Sequence, residues 1–299
     1  MGIGGGGDVV GTLAAAELCE SLGTPTVLGG VSWERYAIDP HPGPWPLQQI
    51  LDLIELSPPT RRAALTDGRA RAPNQTRFAE SRLAAHLGQP ILLVDVCGGP
   101  ADCAEAIVSA ADSLRCDLVI YLDVGGDAIA DGTEPGLASP LCDAVMLAAA
   151  RLASPEVATL ATVFGAGCDG ELTIRELLGR IAVIAESGAW LGTRSLSAAG
   201  ARRIETAAAA APTEASLLAA RAALGSFGAT PIRDGARQVD LTPLAALSFW
   251  FDPLVAYERV TPLAAAVEPA GDLEAARAIL ADRGLRTELD YERNRANSA

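Results

Sequence analysis

The sequence contains no lysine, so all 23 of its basic residues are arginines. Without a primary ε-amine, the chain cannot form a Schiff base, anchor pyridoxal phosphate or supply the lysine of a Walker P-loop. Histidine is scarce as well, because only His41 and His86 are present. A three-histidine zinc site is therefore excluded, and any acid–base chemistry must depend mainly on carboxylates.

Positive charge is also in short supply. The chain has 37 acidic residues against 23 basic ones, which gives a formal net charge of -14. Binding of nucleic acid requires a basic surface that neutralises several phosphates, and the sequence contains no basic stripe. We therefore expect no nucleic-acid partner.

Long apolar runs and paired cysteines are absent too. The longest apolar runs, residues 91–96 and 157–164, are much shorter than the roughly 20 residues that span a bilayer. Residues 1–7 lack the basic and apolar regions of a secretory signal. The six cysteines form no C-x-x-C pair and are typical of reduced thiols. These features predict a cytoplasmic protein without a membrane partner.

Short apolar runs alternate with amphipathic helical patterns between residues 24 and 187. Strands are predicted at residues 26–29, 91–96, 118–124 and 157–164, and helices at 9–22, 77–87, 101–114, 141–152 and 173–186. Continuous apolar strands are buried on both faces, and helices between them imply parallel crossovers. The expected fold class is α/β, with a doubly wound, mostly parallel Rossmann-like sheet.

The last third of the chain has a different pattern. Helices are predicted at residues 198–211, 214–224 and 272–282, a hairpin at 230–232 and 238–241, and a final strand at 285–289. We therefore predict a Rossmann-like core over residues 1–190. Residues 191–299 are expected to form a mainly helical C-terminal extension packed on the same domain.

A glycine-rich loop, residues 2–7, matches G-x-G-x-x-G and leads into the first predicted helix. The amides of Gly5, Gly6 and Gly7 are candidates for binding a phosphate of the substrate or of a nucleotide. However, Asp8 places a negative charge beside them, and no acidic residue follows at the spacing of about 20 residues that binds a ribose. A tight turn without a phosphate is the alternative.

Two further loops carry carboxylates just after predicted strands, at residues 123–127 and 165–171. Because the carboxyl ends of parallel strands share one edge of the sheet, we predict that Asp8, Asp123 and Asp127 bind Mg²⁺ or Mn²⁺. Asp169 or Glu171 is then the candidate general base. Capping of a helix is the better explanation of any single carboxylate, but the glycines that surround several of them at one edge favour ligands instead, because capping does not require those glycines.

Arginine and histidine complete the predicted site. Arg35 and Arg77 are candidates for bidentate binding of the substrate's anionic group, with surface ion pairs as the alternative. His41 lies in a proline-rich loop, residues 39–44, where it is a candidate mobile acid or base.

Six motifs stand out along the chain, at residues 4–8, 29–35, 39–44, 123–127, 134–144 and 167–172. Together they resemble one protein family, the domain of unknown function 1152 family. The resemblance covers most of the chain and implies its fold boundaries more than its chemistry. Members of that family begin with an apolar strand before the glycines, which implies an incomplete first strand here.

The glycine loop alone is similar to the first phosphate-contacting loop of tubulin-like GTPases. Their second signature, GGGTGTG, is absent from this sequence. Nucleotide binding therefore stays an alternative, without GTP polymerase activity.

The residues favour an enzyme that acts on a small phosphorylated or carboxylated metabolite with the assistance of a divalent metal. A hydrolase, a lyase or a transferase would each fit. The alternatives are a transferase or oxidoreductase that holds a nucleotide on the glycine loop, and a non-catalytic small-molecule sensor. An acidic, arginine-containing surface also fits a homo-oligomer.

Overall fold

The computed structural model describes residues 1–298, which form eleven α-helices and ten strands. The helices are α1 (Asp8–Ser21), α2 (Ala79–Leu87), α3 (Gly99–Leu114), α4 (Pro140–Ala153), α5 (Ile174–Glu186), α6 (Ala198–Ala210), α7 (Glu214–Ala223), α8 (Tyr257–Val260), α9 (Pro262–Val267), α10 (Leu273–Asp282) and α11 (Glu288–Ser298). The strands are β1 (Gly29–Val31), β2 (Ile54–Glu55), β3 (Ala63–Thr66), β4 (Ile91–Val94), β5 (Leu118–Val124), β6 (Ala158–Phe164), β7 (Trp190–Ser195), β8 (Gly228–Ile232), β9 (Arg237–Leu241) and β10 (Leu247–Phe251). The expected α/β class is confirmed.

The strands form two four-stranded sheets and one hairpin. The orders are β1-β4-β3-β2 and β5-β6-β10-β7, and β8 pairs with β9. The pairs β1–β4 and β5–β6 are parallel, whereas the other pairs of named strands are antiparallel. The sheets are therefore mixed, and a mostly parallel arrangement is not confirmed.

Residues 1–3 connect the two sheets. The Gly2 amide donates to the Gly29 carbonyl of β1 at 2.8 Å. On the other side, the Ile3 amide donates to the Leu122 carbonyl of β5 at 3.1 Å, and the Leu122 amide donates to the Met1 carbonyl at 2.8 Å. The residues before the glycine loop thus occupy a strand position between β1 and β5, and the loop emerges from the carboxyl edge of the sheet.

Helices cover both faces of the sheets. Tyr121 of β5 packs in a core with residues of α3, α4, α9 and α10, whereas the next residue, Leu122, packs with residues of α1, α2, α6 and α7. This alternation explains why β5 is apolar on both sides. Among the residues described, no helix combines the length and hydrophobicity that crossing a membrane would require.

The C-terminal third differs from its predicted pattern. Strand β10 inserts between β6 and β7, so residues beyond 190 contribute to a sheet, and a mainly helical extension is not confirmed. The strand expected at 285–289 is wrong, because α11 begins at Glu288. The Thr287 amide donates to Asp290 at 2.9 Å and the Asp290 amide approaches the Thr287 hydroxyl at 3.4 Å, which is the reciprocal pattern of a helix start. The division at residue 190 stays a prediction.

Candidate metal centre

Three carboxylates meet where β5 ends and two helices begin. Asp8 is the first residue of α1, Asp123 lies near the end of β5, and Asp143 lies in the first turn of α4. One carboxylate oxygen of each lies within 4.8 Å of the others. We call these residues the first triad. The N-termini of two helices adjoin this group of negative charges. The N-terminus is the end of a helix that stabilises an anion.

Gly4 allows the first triad to form. Its amide donates to Asp8 Oδ2 at 2.9 Å. A Cβ atom on this residue would lie 2.7 Å from the same oxygen and 3.1 Å from Asp143 Oδ2. Two carboxylates therefore lie so close to the Gly4 backbone that a Cβ atom at this position would collide with them. An amide of the glycine-rich loop therefore binds a carboxylate of the protein.

The first triad contains buried oxygens without a hydrogen-bond partner among residues 1–298. They are Oδ2 of Asp123 and both side-chain oxygens of Asp143, and these residues are 2% and 1% exposed. Buried polar atoms are normally paired, and an unpaired buried carboxylate is costly. Burial, followed by repulsion from neighbouring carboxylates, raises the pKa of both aspartates well above the usual range.

Asp8 shows the same perturbation to a smaller degree. Burial raises its pKa to about 7, against an opposing contribution from Arg35. A set of oxygen ligands with negative charge is what Mg²⁺ and Mn²⁺ prefer. A divalent cation among these residues would pair the free oxygens and offset the repulsion, so the donor set fits such an ion.

A second triad lies on the adjoining loops. Asp127, Asp169 and Glu171 also place carboxylate oxygens within 4.8 Å of one another. Gly125 makes room for it, because a Cβ there would lie 2.2 Å from Asp169 Cγ and the residue has a φ of +133°. Asp169 Oδ2 is buried without a partner among the described residues, and burial followed by repulsion from Glu171 raises the pKa of Asp169 to about 7.

The carboxylates of the second triad have more hydrogen-bond and ion-pair partners than those of the first triad. Glu171 accepts hydrogen bonds from the Ala138 and Ser139 amides at 2.6 and 2.8 Å and from the Ser139 hydroxyl at 2.7 Å. It also pairs with Arg233 at 3.2 Å. The same hydroxyl lies 3.1 Å from Asp127 Oδ2. Glu171 therefore holds the segment before α4 in place. Because its oxygens already accept these hydrogen bonds, it is poorly suited to accept a proton as a general base.

The structure thus divides the predicted metal set between two adjoining groups of carboxylates. Asp8 and Asp123 are neighbours, as the sequence indicates, whereas Asp127 lies with the second triad. Asp143 completes the first triad and is not among the ligands that the sequence predicts. Its segment carries no glycine-rich loop, so the only feature that marks it is its place in the 134–144 motif of the resemblance.

The predicted anion-binding and acid–base residues are dispersed. Arg35 donates to the Gly4 carbonyl, and its side chain lies against Gly6. Burial alone would lower the pKa of Arg35, but the carboxylates of Glu288 and Glu292 raise it above its ordinary value. This guanidinium is therefore already engaged by the protein.

Arg77 and His41 have other partners. Arg77 donates to the Gly68 carbonyl. His41 stacks on Trp45 with ring centroids 3.7 Å apart. Within residues 1–298, neither side chain forms a hydrogen bond or an ion pair with either triad. Their predicted roles gain no support from this geometry.

The glycine loop packs against protein on several sides. The Gly6 amide donates to the Trp33 carbonyl at 2.8 Å, and a Cβ on Gly7 would lie 2.0 Å from Thr213 Oγ1. Glu34, the acidic residue after β1, is 3% exposed and paired with Arg82. The Gly6 amide and the Glu34 carboxylate, two of the groups that a dinucleotide would use, are therefore occupied, which weakens the nucleotide alternative.

A separate cavity of about 400 Å³ lies at the other edge of the sheet. It is lined mainly by apolar residues near the beginnings of β1 and β5, including Leu28 and Leu118, and it contains no member of either triad. The concentration of perturbed carboxylates, rather than this cavity, marks the candidate site.

Fold and site together define a mixed α/β protein with a buried cluster of carboxylates at the carboxyl end of β5. The chain belongs to the family described as protein of unknown function (DUF1152), whose model matches residues 1–296. The comparisons with curated proteins and with solved structures gave no match.

Proposed function

We propose that the protein is an enzyme that acts on a small phosphorylated or carboxylated metabolite with the assistance of Mg²⁺ or Mn²⁺ at the first triad. The observation that carries this proposal is the set of buried, unpartnered oxygens on Asp123 and Asp143. Helix capping does not account for them, since a capping carboxylate accepts hydrogen bonds from backbone amides.

The position of the triad supports the same proposal. With residues 1–3 between β1 and β5, the neighbours run β4, β1, residues 1–3, β5 and β6, an order that supports the proposal of a Rossmann-like, doubly wound fold. In such folds, ligands bind outside the carboxyl ends of the strands where the order reverses. Asp8 and Asp123 lie at that place.

Each residue has a distinct part in the proposed chemistry. Asp8, Asp123 and Asp143 would hold the cation, which would supply a Lewis acid for the substrate's oxygen atoms. Asp169 is the better general base of the two predicted, because one of its oxygens is free and its pKa is about 7. Glu171 positions the segment before α4 instead.

Isothermal titration calorimetry of Mn²⁺ binding to chelator-treated protein tests the metal site. Asp143→Asn keeps the shape of the side chain and removes one charge, so we expect at least a tenfold loss of Mn²⁺ affinity. Asp282→Asn, at the exposed end of α10, is the matched control. Wild-type protein without Mn²⁺ binding, or equal affinity in the Asp143 variant, would contradict the proposal.

Catalysis requires a separate measurement. The Mn²⁺-loaded protein should be screened against phosphorylated and carboxylated metabolites for turnover, with Asp169→Asn as the variant expected to lose kcat. A metabolite that binds without being converted at any pH would favour the sensor over the enzyme.

A further inference from the structure

An arginine outside the predicted set of site residues reaches the candidate site from the β8–β9 hairpin. Arg233 and Asp234 at the hairpin tip have φ values of 52° and 55°, a conformation that residues other than glycine seldom adopt. The Arg233 amide donates to both carboxylate oxygens of Glu214, at 2.9 and 3.1 Å. The first residue of α7 therefore fixes where this arginine leaves the backbone.

Only one nitrogen of the Arg233 guanidinium is used. Its Nη2 donates to Glu171 at 3.2 Å and to the Asp169 carbonyl at 3.4 Å. The other two nitrogens, Nη1 and Nε, donate to no atom of residues 1–298. The side chain is 45% exposed, whereas that of Glu171 is 1% exposed. The arginine thus lies at the boundary between the second triad and solvent, with most of its donors available.

Two other arginines near the site are placed differently. Arg35 is engaged by Gly4 and by neighbouring carboxylates. Arg237, on the next strand, donates to the Gly170 carbonyl at 3.0 Å and has no carboxylate partner in either triad. Glu171 also keeps its hydrogen bonds from Ala138 and Ser139 if Arg233 turns away. The Arg233–Glu171 pair can therefore open without leaving a buried carboxylate wholly unpaired.

We propose that Arg233 recognises the anionic group of the substrate, a phosphate or a carboxylate, at the mouth of the carboxylate site. The inference depends on the proposed metal-assisted function, because the six carboxylates of the two triads repel an anion unless a cation compensates for them. Arg233 adds a fixed positive charge and a planar set of donors that matches phosphate or carboxylate oxygens. The hairpin tip brings this charge to the substrate without a covalent step.

The test uses inorganic phosphate and malonate as probes with the full chain loaded with Mn²⁺. We expect Arg233→Ala to bind Mn²⁺ within twofold of the wild-type affinity and to bind at least one of the two anions at least tenfold more weakly. Arg237→Ala should bind Mn²⁺ and the anions as the wild type does. The probe that loses affinity identifies the class of group that is recognised.

Three outcomes would overturn the inference. Equal anion affinity in Arg233→Ala, or a wild-type protein that binds Mn²⁺ and neither anion, would exclude the role for Arg233 and leave the metal site standing. A tenfold loss of Mn²⁺ affinity in Arg233→Ala would make the residue a support for the carboxylates instead. Absence of Mn²⁺ binding to the wild type would overturn both proposals.

Discussion

Replacement of Asp8 by asparagine should make the metal-free protein more stable at alkaline pH. Asp8 has a pKa of about 7, compared with an ordinary value of 3.8, chiefly because it is buried. Since the folded-state pKa is the higher one, ionisation of Asp8 weakens the fold, and the penalty grows as the pH rises from 3.8 to 7. A difference of this size corresponds to about 4 kcal/mol once both states are ionised.

Asp8→Asn removes the charge and retains an oxygen that can accept from the Gly4 amide. The stability advantage of the variant over the wild type should therefore grow by about 3 kcal/mol between pH 5 and pH 8. This difference is measured by guanidinium chloride titrations at both pH values in the presence of a chelator, with circular dichroism as the readout of unfolding. Asp282→Asn should show no such growth.

Mn²⁺ should reduce the stability advantage of the variant. A ligand at 100 times its Kd stabilises the folded state by about 2.7 kcal/mol, and the variant should gain much less because it has lost one ligand. A stability difference that does not depend on pH would refute the electrostatic reasoning. Equal stabilisation of both proteins by Mn²⁺ would refute the assignment of Asp8 to the cation.

Three further predictions concern the surroundings of the site. Gly4→Ala should weaken Mn²⁺ binding at least tenfold in calorimetry, because its Cβ would lie 2.7 Å from Asp8 Oδ2; unchanged affinity would contradict the role of this glycine. Thr173→Ala should lower the free energy of unfolding by about 1 kcal/mol in denaturant titrations, since the capping box of α5 is lost, and no change would count against it. Burial raises the pKa of Glu80 well above its ordinary value of 4.5, so Glu80→Gln should gain stability relative to the wild type as the pH rises above 4.5; a difference that does not change with pH would show that ionisation of Glu80 does not destabilise the fold.

The sequence predicts the parallel pair β5–β6 well because the signals for it are local, whereas the strand expected at residues 26–29 is displaced to Gly29–Val31. Strands β5 and β6 are continuous apolar runs, and the glycines after them mark where each strand stops. These two features are enough to place Asp123 and Asp169 at the edge of the sheet. The same reasoning shows that Asp8 follows a glycine loop, but not that the loop's amide turns back to bind it.

What the sequence cannot predict depends on contacts between distant segments. Asp143 lies in the first turn of an ordinary apolar helix, and it joins Asp8 only because α4 packs beside the glycine loop. The hairpin turn at Arg233 is evident from the Asp234-Gly235 pair, yet the loop that it covers is about 60 residues away in the chain. Strand β10 likewise pairs with β6 across more than 80 residues.

The hydrogen bonds that place residues 1–3 between β1 and β5 also affect how a cation would act over time. In the folded chain, Asp8 and Asp123 are neighbours through the pairing of the start of the chain with a strand more than 100 residues away. Such distant pairings form slowly, because the entropic cost of closing a large loop precedes the favourable contacts that compensate for it. If they form after the rate-limiting step of folding, a cation at the first triad would leave the folding rate unchanged and would slow unfolding. The ion would then lengthen the lifetime of the native state.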